Sequence, residues 1–238
     1  MRTKIILFLG LMLSSAGQLM AHALWIEANA SGKAGQAQAV KVFYGEYAAN
    51  ERDEISKWYS DVKDLSLWLV GPDGQKTQLK TVAGANFLSA EFVPQKDGAY
   101  TLVVSHEAKE LGGTTKYCFL ASSVVKIGNA VSIDPASNTN DLKVYPELKT
   151  SYKVNSTIKL NAVLKGAGKS EKAISVFSPS GWSKELTTGA GGSIEFVPLW
   201  PGKYVIEVQD FEKVPGQHNG ANYEAVWKGA TYSFDVVK

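Results

Sequence analysis

Three histidines, His22, His106 and His218, are the only imidazoles in this 238-residue chain. Imidazole is the commonest side-chain ligand for divalent transition metals, so their positions matter first. Residues 1–21, MRTKIILFLGLMLSSAGQLMA, have the pattern of a secretory signal peptide: Arg2 and Lys4, an apolar run, then a small residue, Ala21, at the cut. Cleavage after Ala21 would make His22 the first residue. Its α-amine and ring would then form a chelate on one ion, since such an amine has a pKa of only about 8. The run Ala21-His22-Ala23 also permits a cut after Ala23, which would leave Leu24 first.

Two further residues converge with His22 if the first half of the chain is an immunoglobulin-like sandwich. Alternating strand directions put the start of the first strand, the end of the second and the end of the sixth at one pole. His22 opens the first strand, Glu46 closes the second in FYGEY, and His106 closes the sixth in VVSHE. His22, Glu46 and His106 are therefore candidate metal ligands. His218, in the loop PGQHNGANY, joins them only if the second half folds over the first. Taken singly, each has an ordinary alternative: a strand-end surface histidine, a solvated carboxylate.

The available ligands narrow the metal. Met1, Met12 and Met20 all lie in the signal, and Cys118 is the sole thiol. Soft ions such as Cu(I) want sulfur, so nitrogen and carboxylate donors point to Ni(II), Co(II) or Cu(II), with Zn(II) also compatible. One cysteine excludes an intrachain disulfide, so an exported chain must rest on its cores. Removing Arg2 and Lys4 from 25 basic residues leaves 23 against 23 acidic ones. That balance disfavours nucleic acid and anionic membranes as partners, and no later segment approaches the ~20 apolar residues of a span.

An internal repeat organises the rest. Glu91-Phe92-Val93-Pro94, then Gly98 and Tyr100, recurs as Glu195-Phe196-Val197-Pro198, then Gly202 and Tyr204, at a constant offset of 104. Short β-branched runs with Gly/Pro turns surround both copies. Strands are expected near 23–29, 37–46, 65–71, 75–82, 87–93, 99–106 and 116–127. The second set is expected near 142–146, 156–164, 173–178, 183–187, 193–197, 202–209 and 223–237. The fold predicted is all-β: two tandem immunoglobulin-like β-sandwich domains, 22–127 and 142–238, after a signal peptide, 1–21. The polar stretch 128–141 is the expected linker, crossed by few contacts. The stretch 51–64 reads as a short helix or an ordered loop.

With HALWIE after the signal, LKVYPEL and NSTIKLNAVLKG in mid-chain, EFVPLWPGKYVIEV and a closing VWKGATYSFDV, the chain resembles a family of exported proteins. That family was long known only as a domain of unknown function. It is also described as the periplasmic component of predicted cobalt/nickel uptake systems, the NikM/NikK-like proteins. The most specific shared element is a His directly after the signal with an aromatic close behind, here His22 and Trp25. The resemblance implies a periplasmic β protein linked to transition-metal handling.

G-x-S-x-G, P-loop and H-E-x-x-H motifs are all missing from the sequence. The expectation is a periplasmic, non-enzymatic protein that binds Ni, Co or Cu and passes it to an uptake system, with a membrane transporter component as partner and no membrane insertion of its own. Two alternatives belong to other classes. One is an adhesion or scaffold module binding protein or glycan, to which Trp58, Trp182 and Trp200, in or near turns, would contribute. The other is a copper oxidase-type enzyme built on an N-terminal histidine.

Overall fold

The computed structural model describes residues 22–130, 133–149 and 151–238. The expected signal peptide and its cleavage lie outside the described residues. Fourteen principal strands form among the described residues, seven in each half. The first seven are β1 (Ala23–Ala28), β2 (Gln38–Gly45), β3 (Leu67–Val70), β4 (Lys76–Leu79), β5 (Leu88–Phe92), β6 (Gly98–Glu107) and β7 (Thr115–Ile127). Their counterparts are β8 (Leu142–Pro146), β9 (Ile158–Leu164), β10 (Ala173–Phe177), β11 (Ser183–Thr187), β12 (Ser193–Phe196), β13 (Gly202–Glu212) and β14 (Ala225–Val237). The chain is all-β, with a sandwich in each half.

The repeat is structural as well as textual. Phe92 ends β5 and packs on Tyr100 with ring centroids 5.6 Å apart; Phe196 ends β12 and packs on Tyr204 at 5.8 Å. Each tyrosine hydroxyl donates four residues back, Tyr100 to the Lys96 carbonyl at 3.0 Å and Tyr204 to the Trp200 carbonyl at 3.1 Å. The glycine two residues before each tyrosine takes a conformation that L side chains avoid, φ +141° at Gly98 and +130° at Gly202. A Cβ there would also strike Pro72 at 2.5 Å and Pro179 at 2.9 Å. The repeated glycines are thus required by both backbone and packing.

The two halves do not stack end to end. They lie side by side in one ten-stranded sheet, whose main path is β11-β10-β13-β14-β7-β6-β3-β4. The junction is the parallel pair β7–β14, in register from Thr115 opposite Ala225 to Ser123 opposite Ser233. A parallel pair of equivalent strands implies a pseudo-twofold axis along the strand direction. Such an axis exchanges the two faces of the sheet. Alternate residues of β7 bear this out: Phe119, Ala121 and Val125 enter one core, while Leu120 enters the other. The small sheet β1-β2-β5 therefore covers one face, and β8-β9-β12 covers the opposite one.

This arrangement gives β1 two buried faces. Leu24 and Ile26 point into the first core, whereas Trp25 packs with Phe43 and with Val205 of β13, in the other half. The expected linker is also tied down. Asn138 donates to Ser122 Oγ at 3.0 Å, Asn140 donates to the Val104 carbonyl at 3.0 Å, and both amides are buried. The described part of 128–141 thus lies against β6 and β7, with more contacts than a free linker would make. Residues 51–64 resolve into an ordered loop with two short 3-10 turns, Ile55–Lys57 and Val62–Asp64.

Candidate functional site

The antiparallel pair β1–β2 sets Ala23 opposite Gly45. His22 and Glu46, one residue beyond each, consequently meet at the strand ends. His22 Nδ1 lies 4.0 Å from Glu46 Oε1, and His22 Nε2 lies 3.3 Å from Asp53 Oδ2. Asp53 arrives by a local route: its N–H donates to the Tyr44 carbonyl at 2.9 Å, which folds the loop after β2 back over the strand. The imidazole stacks on Tyr44, centroids 5.3 Å apart, and its side chain stays 41% exposed, open to a solute. Glu46 is more enclosed, at 14%. Its Oε1 is buried and accepts no hydrogen bond from the described residues. Burial pushes the Glu46 carboxyl above the usual carboxylate range, with His22 pulling the other way.

The other two histidines stand at the same end of the molecule, in different company. His106, at the end of β6, donates from Nε2 to Asp61 Oδ1 at 3.1 Å. The same oxygen accepts the Lys109 N–H at 2.8 Å. Burial alone would raise the Asp61 carboxyl, but these bonds hold it below its ordinary value. His218 donates from Nε2 to the Ala108 carbonyl at 2.9 Å, docking the hairpin Gly216–His218/Ala221–Tyr223 on the loop after β6. The second half therefore does fold over the first, yet His218 serves as a clasp there. Among the described residues no hydrogen bond or ion pair joins His106 or His218 to His22. Nor does any group of three or more His, Cys, Asp and Glu side chains stand where it could hold a metal. Of the residues singled out from sequence, His22 and Glu46 come together, while His106 and His218 are engaged with Asp61 and the Ala108 carbonyl; Asp53, which no spacing rule singled out, stands beside the His22 ring.

Beside His22 opens a groove of about 490 Å³. Its floor is an unbroken run of ring contacts. Tyr44 meets Phe119 at 5.5 Å, Phe119 meets Trp227 at 5.5 Å, and Tyr59 and Tyr117 close the near side, 5.7 Å apart. The second half supplies Trp227, Phe211 and Gln209. Gln209 Oε1 accepts the Trp227 indole N–H at 3.3 Å, and its amide donates to Glu207 Oε1 at 2.8 Å. The groove thus exists only because the two sandwiches share a sheet.

Glu207 is fully enclosed on β13, and burial pushes its carboxyl up to about 7, with a smaller push from Glu46. The unfolded chain would lose this proton near 4.5. The native state thus holds the proton more tightly, so the contribution of Glu207 to stability falls as pH rises from about 4.5 to about 7 and stays low above that. Glu207→Gln should therefore gain about 2–4 kcal/mol over the parent at pH 8 and almost nothing at pH 4. Urea unfolding at the two pH values measures this; an equal change at both would contradict it.

No family model matches the chain, and no curated protein matches it. Solved structures similar to it include a Salmonella alpha-2-macroglobulin variant with one tyrosine replaced by glycine, at 9% identity and a TM-score of 0.31. The Salmonella alpha-2-macroglobulin reacted with methylamine matches at 10% and 0.30. The matches cover 88% and 90% of this chain, which spans only 15% of the length of either.

Proposed function

We propose that this is a periplasmic protein that binds one divalent transition metal, Ni(II), Co(II) or Cu(II), at His22 and Glu46 and passes it to an uptake system. The observation that carries the reading is the 4.0 Å gap between His22 Nδ1 and the unpartnered buried Oε1 of Glu46. That gap is too long for a hydrogen bond. It suits two donors facing each other across an ion, each about 2.0–2.1 Å from the metal. An orphan buried carboxylate oxygen costs stability unless something fills its place.

The remaining donors follow from the chain. If processing begins the protein at His22, its α-amine closes a chelate with Nδ1, so that two nitrogens and one oxygen hold the ion. Asp53 then orients the ring through Nε2, as carboxylates do behind metal-bound histidines. His106, held by Asp61, has no part in it. The uptake role rests on the family resemblance.

Titration of the exported protein with Ni(II), in competition with a chromophoric chelator, tests the reading. Glu46→Gln keeps the shape and removes the charge, and should weaken binding about tenfold or more. An unchanged affinity in Glu46→Gln would overturn the ligand assignment.

A further inference from the structure

The groove beside His22 is out of scale with a bare ion. A divalent cation with six waters, at about 30 Å³ per water, fills roughly 180 Å³. The groove offers about 490 Å³, within the size range of pockets for organic ligands. Its chemistry narrows the occupant. Among the described residues no Asp, Glu or Asn lines it. Most of its exposed lining is apolar, and two of its polar side chains are engaged already: Gln209 with Trp227 and Glu207, and the Tyr59 hydroxyl with the Glu110 carbonyl at 2.9 Å. A sugar, which needs a hydrogen bond for most of its hydroxyls, would find few here. A flat aromatic body would find a floor of rings to stack on. Phe211, 54% exposed at the rim, stands ready as one wall.

We infer that the ion arrives as a complex with a planar, aromatic organic chelator, the metal at His22 and Glu46 and the chelator's body in the groove. This rests on the metal reading above and adds the substrate class to it. A chelator that fills two coordination positions leaves others free for the protein's own donors. Affinity then comes from both halves: coordination from the first, stacking on Trp227 and Phe211 from the second.

The test compares three probes by calorimetry on the exported protein: aqueous Ni(II), the 1:1 complex of Ni(II) with 1,10-phenanthroline, and phenanthroline alone. The complex should bind about tenfold tighter than the aqueous ion, the scale of one or two well-placed aromatic contacts. Phe211→Ala, an exposed position that does not threaten the fold, should erase most of that gain while aqueous Ni(II) affinity stays the same. Equal affinities for ion and complex, or a complex insensitive to Phe211→Ala, would overturn the inference and leave the metal site standing. Phenanthroline binding alone as tightly as its complex would overturn it too, because the groove would be taking rings without regard to metal. No binding of either the ion or the complex would remove both readings.

Discussion

Exported protein carrying His22→Ala is expected to bind Ni(II) about a hundredfold or more weaker than the parent. Loss of a partner behind a metal ligand typically costs 10–100-fold, and loss of the ligand itself should cost at least the top of that range. The substitution deletes the ring that faces Glu46 across the 4.0 Å gap. It keeps the amine, and Ala-Ala-Ala around the cut preserves a processing pattern. Asp53→Asn should fall within the milder range, since Asp53 only orients Nε2, 3.3 Å away. Cytoplasmic protein that keeps a methionine before His22 should behave like His22→Ala, because the amine has become an amide. The same competition titration reads all three. A change of less than about threefold in His22→Ala, far below the range for even an indirect ligand partner, would be incompatible with the site.

The second large effect is on stability. Trp25 is fully buried on the outward face of β1, stacked on Phe43 at 5.5 Å and edge-on to Tyr47 at 5.3 Å. Val205 and Phe177 from the second half complete this small cluster. Trp25→Ala should cost about 3–5 kcal/mol, a large part of the 5–15 kcal/mol that holds a typical domain together. For a chain of this size that lowers the melting temperature by roughly 10 °C. Because the cluster and the β7–β14 pair span both halves, the parent should unfold in one calorimetric transition. The variant should keep that single transition at lower temperature. Two resolved transitions in the parent would contradict the shared sheet as the chief bond between halves.

Much of this was legible in the sequence. Alternation and turn residues located the strands of each half, and the two EFVP segments announced the repeat. The parity argument brought His22 and Glu46 to one pole because it needs only strand direction. What escaped was pairing between halves. β7 and β14 are both thirteen residues long, TKYCFLASSVVKI and AVWKGATYSFDVV, and carry apolar or small residues on both faces. That is how interior strands read, and it is the one hint that neither is an edge. It does not say which strand pairs with which, because register across a hundred residues leaves no local mark. The same limit explains the ligands. Asp53 reaches His22 through a backbone turn, and Asp61 reaches His106 from a loop 45 residues earlier in the chain. The groove was invisible for the same reason, being made by residues from both halves.

The proposed site holds one ion between His22 and Glu46, with the free amine of His22 beside it. Native mass spectrometry of the exported protein, loaded with one equivalent of Ni(II), tests both parts at once. The account predicts a chain that begins at His22 and retains a single nickel ion. A chain beginning at Leu24, or one beginning at His22 that retains no metal, would contradict it.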